Sequence, residues 1–238
     1  MNKILAIVTL ILSVSVINSY DCDLNVAATE FLKKENLSPF PEFEANPYKI
    51  YSEDEKKEFQ AYIDKTDPVC AIKYQDDSKI KYNIKQFDTR FEAESQGWNV
   101  THQGKCGACS NLHDLTIFLT HDLTVEARSC GFKMVWSRKN ALNCMKKTIG
   151  FTDSCAQIWF DNAEHSKNEC FTICMWAWIT KKPNNNPDGT LNDCLQCDED
   201  KSGTIFKYFS GRSRRNSGLI SEIQRPGDTV YDLQQCYY

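Results

Sequence analysis

The chain carries no Gly-x-Ser-x-Gly, no His-Glu-x-x-His and no phosphate-binding glycine loop. The serine-hydrolase elbow, the zinc-protease helix and the nucleoside-triphosphate cradle therefore have no local footing. It has no internal repeat and no low-complexity segment, which sets aside solenoids and disordered arrays. Beyond its first residues it has no apolar run long enough to cross a bilayer; the longest, residues 171–179 (FTICMWAWI), has the length of a buried helix segment. Positive charge is not in excess either. Without Lys3 the chain has 27 basic against 32 acidic side chains, a net charge of −5, which argues against nucleic-acid or anionic-membrane binding.

What is present begins at the N-terminus. Met1-Asn2-Lys3 is followed by an uninterrupted apolar run over residues 4–17 and then by Asn18 and Ser19. This pattern predicts a secretory signal peptide over residues 1–19, cleaved near Ser19, and a protein in the secretory-pathway lumen or outside the cell with no membrane span in its mature part. All 12 cysteines lie after that segment. An even number in an oxidising compartment predicts a disulfide framework, each bridge contributing about 2–4 kcal/mol. Spacing does not give the connectivity, although Cys22 and Cys236 near the two ends imply that both termini are tied down.

Residues 20–78 read as an N-terminal helical and extended elaboration, with a helix over residues 26–37, a proline-broken loop at Pro39, Pro41 and Pro47, and a capping box at Ser52 and Glu55 opening a helix over residues 53–64. A cysteine-rich α+β domain follows over residues 79–238. Ile80, Tyr82 and Ile84 alternate as in a strand. Asp88-Thr89 cap a short helix that Gly97 ends, and residues 98–102 form a second strand. This β-α-β unit leads into Cys106-Gly-Ala-Cys109 and a helix over residues 109–120. Thr152 is expected to cap a long helix on which Cys170 and Cys174, four apart, point the same way toward bridging partners. After the Cys194-Leu-Gln-Cys197 pair, placed between turns, residues 205–209 read as a strand and Pro226-Gly227 as a turn. The fold class is thus α+β: a mostly helical, disulfide-stapled domain with a small sheet.

Cys106-Gly-Ala-Cys109 is the one local arrangement with evident chemistry. A helix N-terminus stabilises a thiolate, so Cys106 could attack a disulfide and Cys109 resolve the mixed intermediate. The structural alternative is that each is an ordinary bridge. A third reading is zinc: His102, Cys106, Cys109 and His113 follow an H-x3-C-x2-C-x3-H spacing. Asp198, Asp200 and Ser202 before Gly203 echo a calcium loop without its closing glutamate, and otherwise read as a polar turn. Arg212, Arg214 and Arg215 could bind an anion, be cut by a processing protease, or lie solvated in a loop. Asn99-Val-Thr101 is a glycosylation acceptor that would need an exposed strand edge, and Asn36-Leu-Ser38 is a poorer one. No cofactor is indicated, and partners remain unknown.

Three stretches, VTHQGKCGACSNLHDL, GFTDSCAQIWFDN and LNDCLQCDEDKSGTIFKYFSGRSRRNSGL, resemble a group of uncharacterised secreted, cysteine-rich proteins of microbial eukaryotes. The resemblance covers residues 80–226 and implies one compact secreted domain. It brings no catalytic residues. That group has a further cysteine pair around an Arg-Pro; here Gln224 and Gly227 flank Arg225-Pro226, which leaves the bridges of the tail open. The expectation is a secreted structural or binding protein, with a thiol–disulfide oxidoreductase using Cys106 and Cys109 as the alternative.

Overall fold

The computed structural model describes residues 22–36, 40–121, 123–135, 137–221, 223–224 and 229–238. The signal segment, the Pro226-Gly227 turn and two of the three residues of the Asn36 acceptor lie outside them. Helix α1 (Leu24–Leu32) starts where the Asp23 carboxylate accepts the N–H groups of Asn25 and Val26, and it buries Ala27, Ala28 and Phe31. It ends earlier than expected, because the chain turns into the short strand β1 (Glu35–Asn36). Pro47 opens the single turn α2 (Pro47–Ile50). The Ser52–Glu55 capping box forms as predicted and opens α3 (Glu53–Ile63).

The sheet is built on a strand that the sequence pattern hides. β2 (Val69–Tyr74) lies between β3 (Lys81–Phe87) and β4 (Asn99–Gln103), antiparallel to both. β1 adds a parallel edge beside β3, giving the order β1-β3-β2-β4. Val69, Cys70, Ala71 and Ile72 are all buried. A strand covered on both faces reads as a continuous apolar run rather than an alternation. Between β3 and β4 runs α4 (Arg90–Ser95), capped by the Thr89 hydroxyl, as its sequence implies. The β-α-β unit is therefore split, with β2 inserted between its two parallel strands.

Each face of the sheet has its own cover. Val69, Ala71, Phe87 and Val100 pack with Ala93 of α4 and with Trp98. On the other face Ile72 and Tyr82 join Ala27 and Phe31 of α1 and Leu112 and Leu115 of α5 (Leu112–Thr120) in the main core. Next come α6 (Leu123–Phe132), α7 (Arg138–Cys144) and a π turn (Met145–Ile149). Gly150, at φ +96°, then redirects the chain.

Two long antiparallel helices complete the body. α8 (Asp153–Ile179) has 27 residues, about 40 Å at 1.5 Å per residue. α9 (Asp193–Ser210) is capped by Asn192, whose side chain accepts the Leu195 N–H. The two are stapled by Cys170–Cys197 and Cys174–Cys194, so the two cysteines expected to share a face do reach one neighbouring element. Residues 205–209 belong to α9 and not to a strand, and Cys194 and Cys197 sit on its first turns rather than between turns. Ser202 and Ile205 face inward three residues apart, and packing against α8 overrides the β-prone Ile-Phe-Lys-Tyr-Phe run. Among the described residues, no helix is long and apolar enough to cross a membrane.

Candidate functional site

Strand β4 delivers the chain to Gly104, and Cys106-Gly-Ala-Cys109 then occupies an irregular turn. Helix α5 starts only at Leu112, with Asn111 as its cap. The two sulfurs are thus not at the helix mouth that the sequence suggests. Nor do they face each other: Cys106 bridges Cys70 in the middle of the sheet, and Cys109 bridges Cys155 on the first turn of α8. The remaining bridges are Cys22–Cys236, Cys130–Cys144 and the two between α8 and α9. No described cysteine is free.

The turn is locked from outside by the end of α9. Ala108 and Cys109 donate their N–H groups to the carbonyls of Phe209 and Ser210, both at 2.9 Å. A Cβ on Gly107 would stand 2.5 Å from the Phe209 oxygen, and one on Gly211 would stand 2.5 Å from the Gly107 nitrogen. Gly211 also sits at φ +71°. Only glycine at both positions lets the two backbones meet.

Arg212 follows directly and is fully buried. Its guanidinium donates to the carbonyls of Cys109 at 2.9 Å, Ser110 at 3.1 Å and Thr101 at 3.1 Å, and to the Ser217 hydroxyl at 3.1 Å. Burial lowers its pKa to about 10, which leaves it charged at neutral pH. Beside it, the buried His102 is held neutral by burial and by the Arg212 charge, its pKa well below the usual range. With Nδ1–H donating to the Gln103 carbonyl (2.9 Å), Nε2 accepts from the Ser110 hydroxyl (2.7 Å), which itself accepts the Gly107 N–H. A serine on a neutral histidine has the pairing of a nucleophile and its base. Here both are completely buried, so the pair is structural. Gln235 closes the cluster by donating to the carbonyls of Thr101 and Ser217, and it accepts from the Tyr237 hydroxyl.

The other candidates disperse. Of the zinc set, His102 is committed to this network, Cys106 and Cys109 are oxidised, and His113 Nε2 bonds the Gly150 carbonyl at 2.8 Å. Disulfide sulfur is no thiolate ligand. Asp198, Asp200 and Ser202 lie on a helix, where Asp198 and Asp200 point about 200° apart instead of converging as in a loop. Asp198 binds the Ser166 hydroxyl, Asp200 accepts from Gln196 at 2.8 Å, and Ser202 meets Ser166 at 2.9 Å. No group of three or more His, Cys, Asp or Glu suited to a metal ion occurs among the described residues. Arg212 is the core cation just described. Arg214 donates to the carbonyls of Phe118, His121 and Ile220, and Arg215 lies 3.9 Å from Glu199. The three arginines therefore do not form one exposed loop. Asn99 starts β4 at the edge of the sheet and is part-exposed, with Thr101 buried behind it.

A feature with no local sequence signal is a groove of about 420 Å³ where α5, α6, α8, α9 and the chain after α9 meet. Trp159, Phe206, Phe171 and Trp178 form its accessible apolar lining, with Phe118 and Met145 fully buried behind them. Phe171, Met175 and Trp178 near the end of α8 also line it, and the exposure of this stretch corrects the expectation that residues 171–179 are a buried segment. Phe171, Trp176, Trp178 and Ile179 are 49%, 61%, 56% and 61% exposed. The two disulfides hold the cysteine side of α8 on α9 and leave those side chains outside.

No curated protein and no solved structure matches the chain. Residues 138–233, less than half of its length, match the profile of a family of unknown function, DUF8771. That span contains α7, α8, α9 and the Arg212 segment, and it overlaps two of the three stretches that carry the resemblance seen in the sequence.

Proposed function

We propose that this is a secreted binding protein without thiol catalysis, cleaved near Ser19, in which Cys106-Gly-Ala-Cys109 is the hub of the scaffold. The observation that carries the reading is the separate bridging of the two motif cysteines, one to the sheet and one to α8. Dithiol exchange needs the pair to close on each other. Six bridges also suit an oxidising compartment, and an open apolar groove gives the protein something to bind with. Asn99 on the edge strand is part of the same reading as a glycan acceptor.

The test combines a free-thiol titration of the native protein with an insulin-reduction assay on wild type and Cys106→Ser. The reading expects no reactive thiol and no turnover in either. Turnover in the wild type that Cys106→Ser abolishes would replace it with the oxidoreductase. N-terminal sequencing near residue 20, and a mobility shift on deglycosylation that Asn99→Gln loses, check the secretory part.

A further inference from the structure

The groove has two chemically different parts. Its walls are apolar, and Trp159 is central to them: it stacks on Phe151 with ring centroids 5.4 Å apart and meets Phe206 edge-on at 5.0 Å. The Trp159 indole N–H is buried with no partner among the described residues. Its rim is basic. Arg128, Lys167, Lys182, Lys207, Arg214 and Arg215 stand against only Asp198 and Glu199, a net +4 among the described lining residues, in a chain of net charge −4. Arg214 is held by the carbonyls of Phe118, His121 and Ile220, so exposed Arg128 and Lys167 are the cations best placed to meet a head group. Glu199 is shared by Lys207 and, at 3.9 Å, by Arg215, whereas Lys182 has its own partner in Asp193 at 3.4 Å. The Asp198 carboxyl is turned inward to Ser166.

Cations gathered on one cleft of an acidic protein focus the field there and concentrate anions. A purely apolar ligand would leave this rim unused, and a small hydrophilic anion would leave the aromatic walls unused. We infer that the groove binds a single-chain amphiphile with an anionic head, a long-chain carboxylate, its chain on the Trp159, Phe206 and Phe171 side chains and its head at the basic rim. The volume of about 420 Å³ lies near the lower end of the range for small-molecule sites, about 300–1,000 Å³, and suits one chain better than two. Half-exposed Phe171 and Trp178 line the same groove, which gives a poorly soluble ligand apolar contact at the surface. The inference rests on the binding-protein reading and names its ligand class.

The experiment titrates the secreted protein with cis-parinaric acid and reads energy transfer from tryptophan to the polyene, with the methyl ester of the probe as the uncharged control. Wild type should bind the acid saturably, one probe per chain, and the ester roughly tenfold more weakly. Charge reversal at the rim, Arg128→Glu with Lys167→Glu, should weaken the acid roughly tenfold and leave the ester unchanged. Ala163→Trp, which puts an indole into the groove, should block both probes, with circular dichroism confirming that the variant is folded. Should that variant not fold, the rim pair carries the test alone. Saturable binding absent from folded wild type, or retained in folded Ala163→Trp, overturns the site. Equal binding of acid and ester overturns the anionic head. A thiol count and insulin assay on the same preparation separate the two levels. Inert protein that ignores the probe overturns the amphiphile and leaves the binding-protein reading standing, whereas thiol turnover overturns that reading itself.

Discussion

Arg212→Met asks whether the structure hangs on its buried guanidinium. Methionine fills a similar volume but donates nothing. The Thr101 carbonyl keeps the Gln235 amide, at 3.0 Å, while the carbonyls of Cys109 and Ser110 lose their Arg212 donor. A buried acceptor left without a partner costs about 1–3 kcal/mol. Two of them cost about 2–6 kcal/mol, and removing a desolvated cation returns part of that. A net loss of about 2–5 kcal/mol is expected, a large share of the roughly 5–15 kcal/mol by which domains are stable. For a chain of this size that lowers Tm on the order of 10 °C. The assay is thermal unfolding followed by near-ultraviolet circular dichroism with all bridges oxidised. Arg212→Lys, which keeps the charge but offers one nitrogen for three, should fall between Met and wild type. A Met variant melting within about 2 °C of wild type would refute the idea that Arg212 holds the β4, α5 and α9 junctions together.

Gly107→Ala and Gly211→Ala should each cost more than about 2 kcal/mol, since the added methyl meets backbone at 2.5 Å in both cases; denaturant midpoints check this. Asp161 is fully buried beside Arg138, and burial raises its pKa from 3.8 to about 6. A carboxyl raised on folding contributes stability that is complete below pH 3.8 and is lost as pH rises through about 6. Asp161→Asn should therefore gain on wild type by up to about 3 kcal/mol between those pH values, read as the difference between two Tm-versus-pH curves; parallel curves would contradict it. Thr152→Ala should destabilise the start of α8 by about 1–2 kcal/mol, because its hydroxyl donates to the buried Asp114 carboxylate at 2.6 Å.

How much of this could be read from the sequence depended on whether the signal was local. The Ser52–Glu55 and Thr89 caps act within four residues, and both helices start where their sequences say. Strand β3, with one half-covered face, shows its alternation. Strand β2 does not, because burial on both faces removes the polar half of the pattern. Helix α9 was obscured by Asp198, Asp200 and Gly203, which suit a loop until Asn192 caps the helix and two disulfides pin it to α8. In the sequence Arg212 reads as one charge among three in a glycine-flanked loop. Its one sequence hint is the pair Gly107 and Gly211, whose close approach shows only once both segments are docked. The groove draws side chains from elements spread over residues 118–223, so no window of sequence contains it.

The central claim is that Cys106 and Cys109 are two scaffold bridges and not one redox pair. Peptide mapping of the unreduced protein by mass spectrometry tests it most directly. The structure predicts fragments linked through Cys70–Cys106 and Cys109–Cys155. A fragment closed by a Cys106–Cys109 bond, or alkylation of either sulfur without prior reduction, would contradict it.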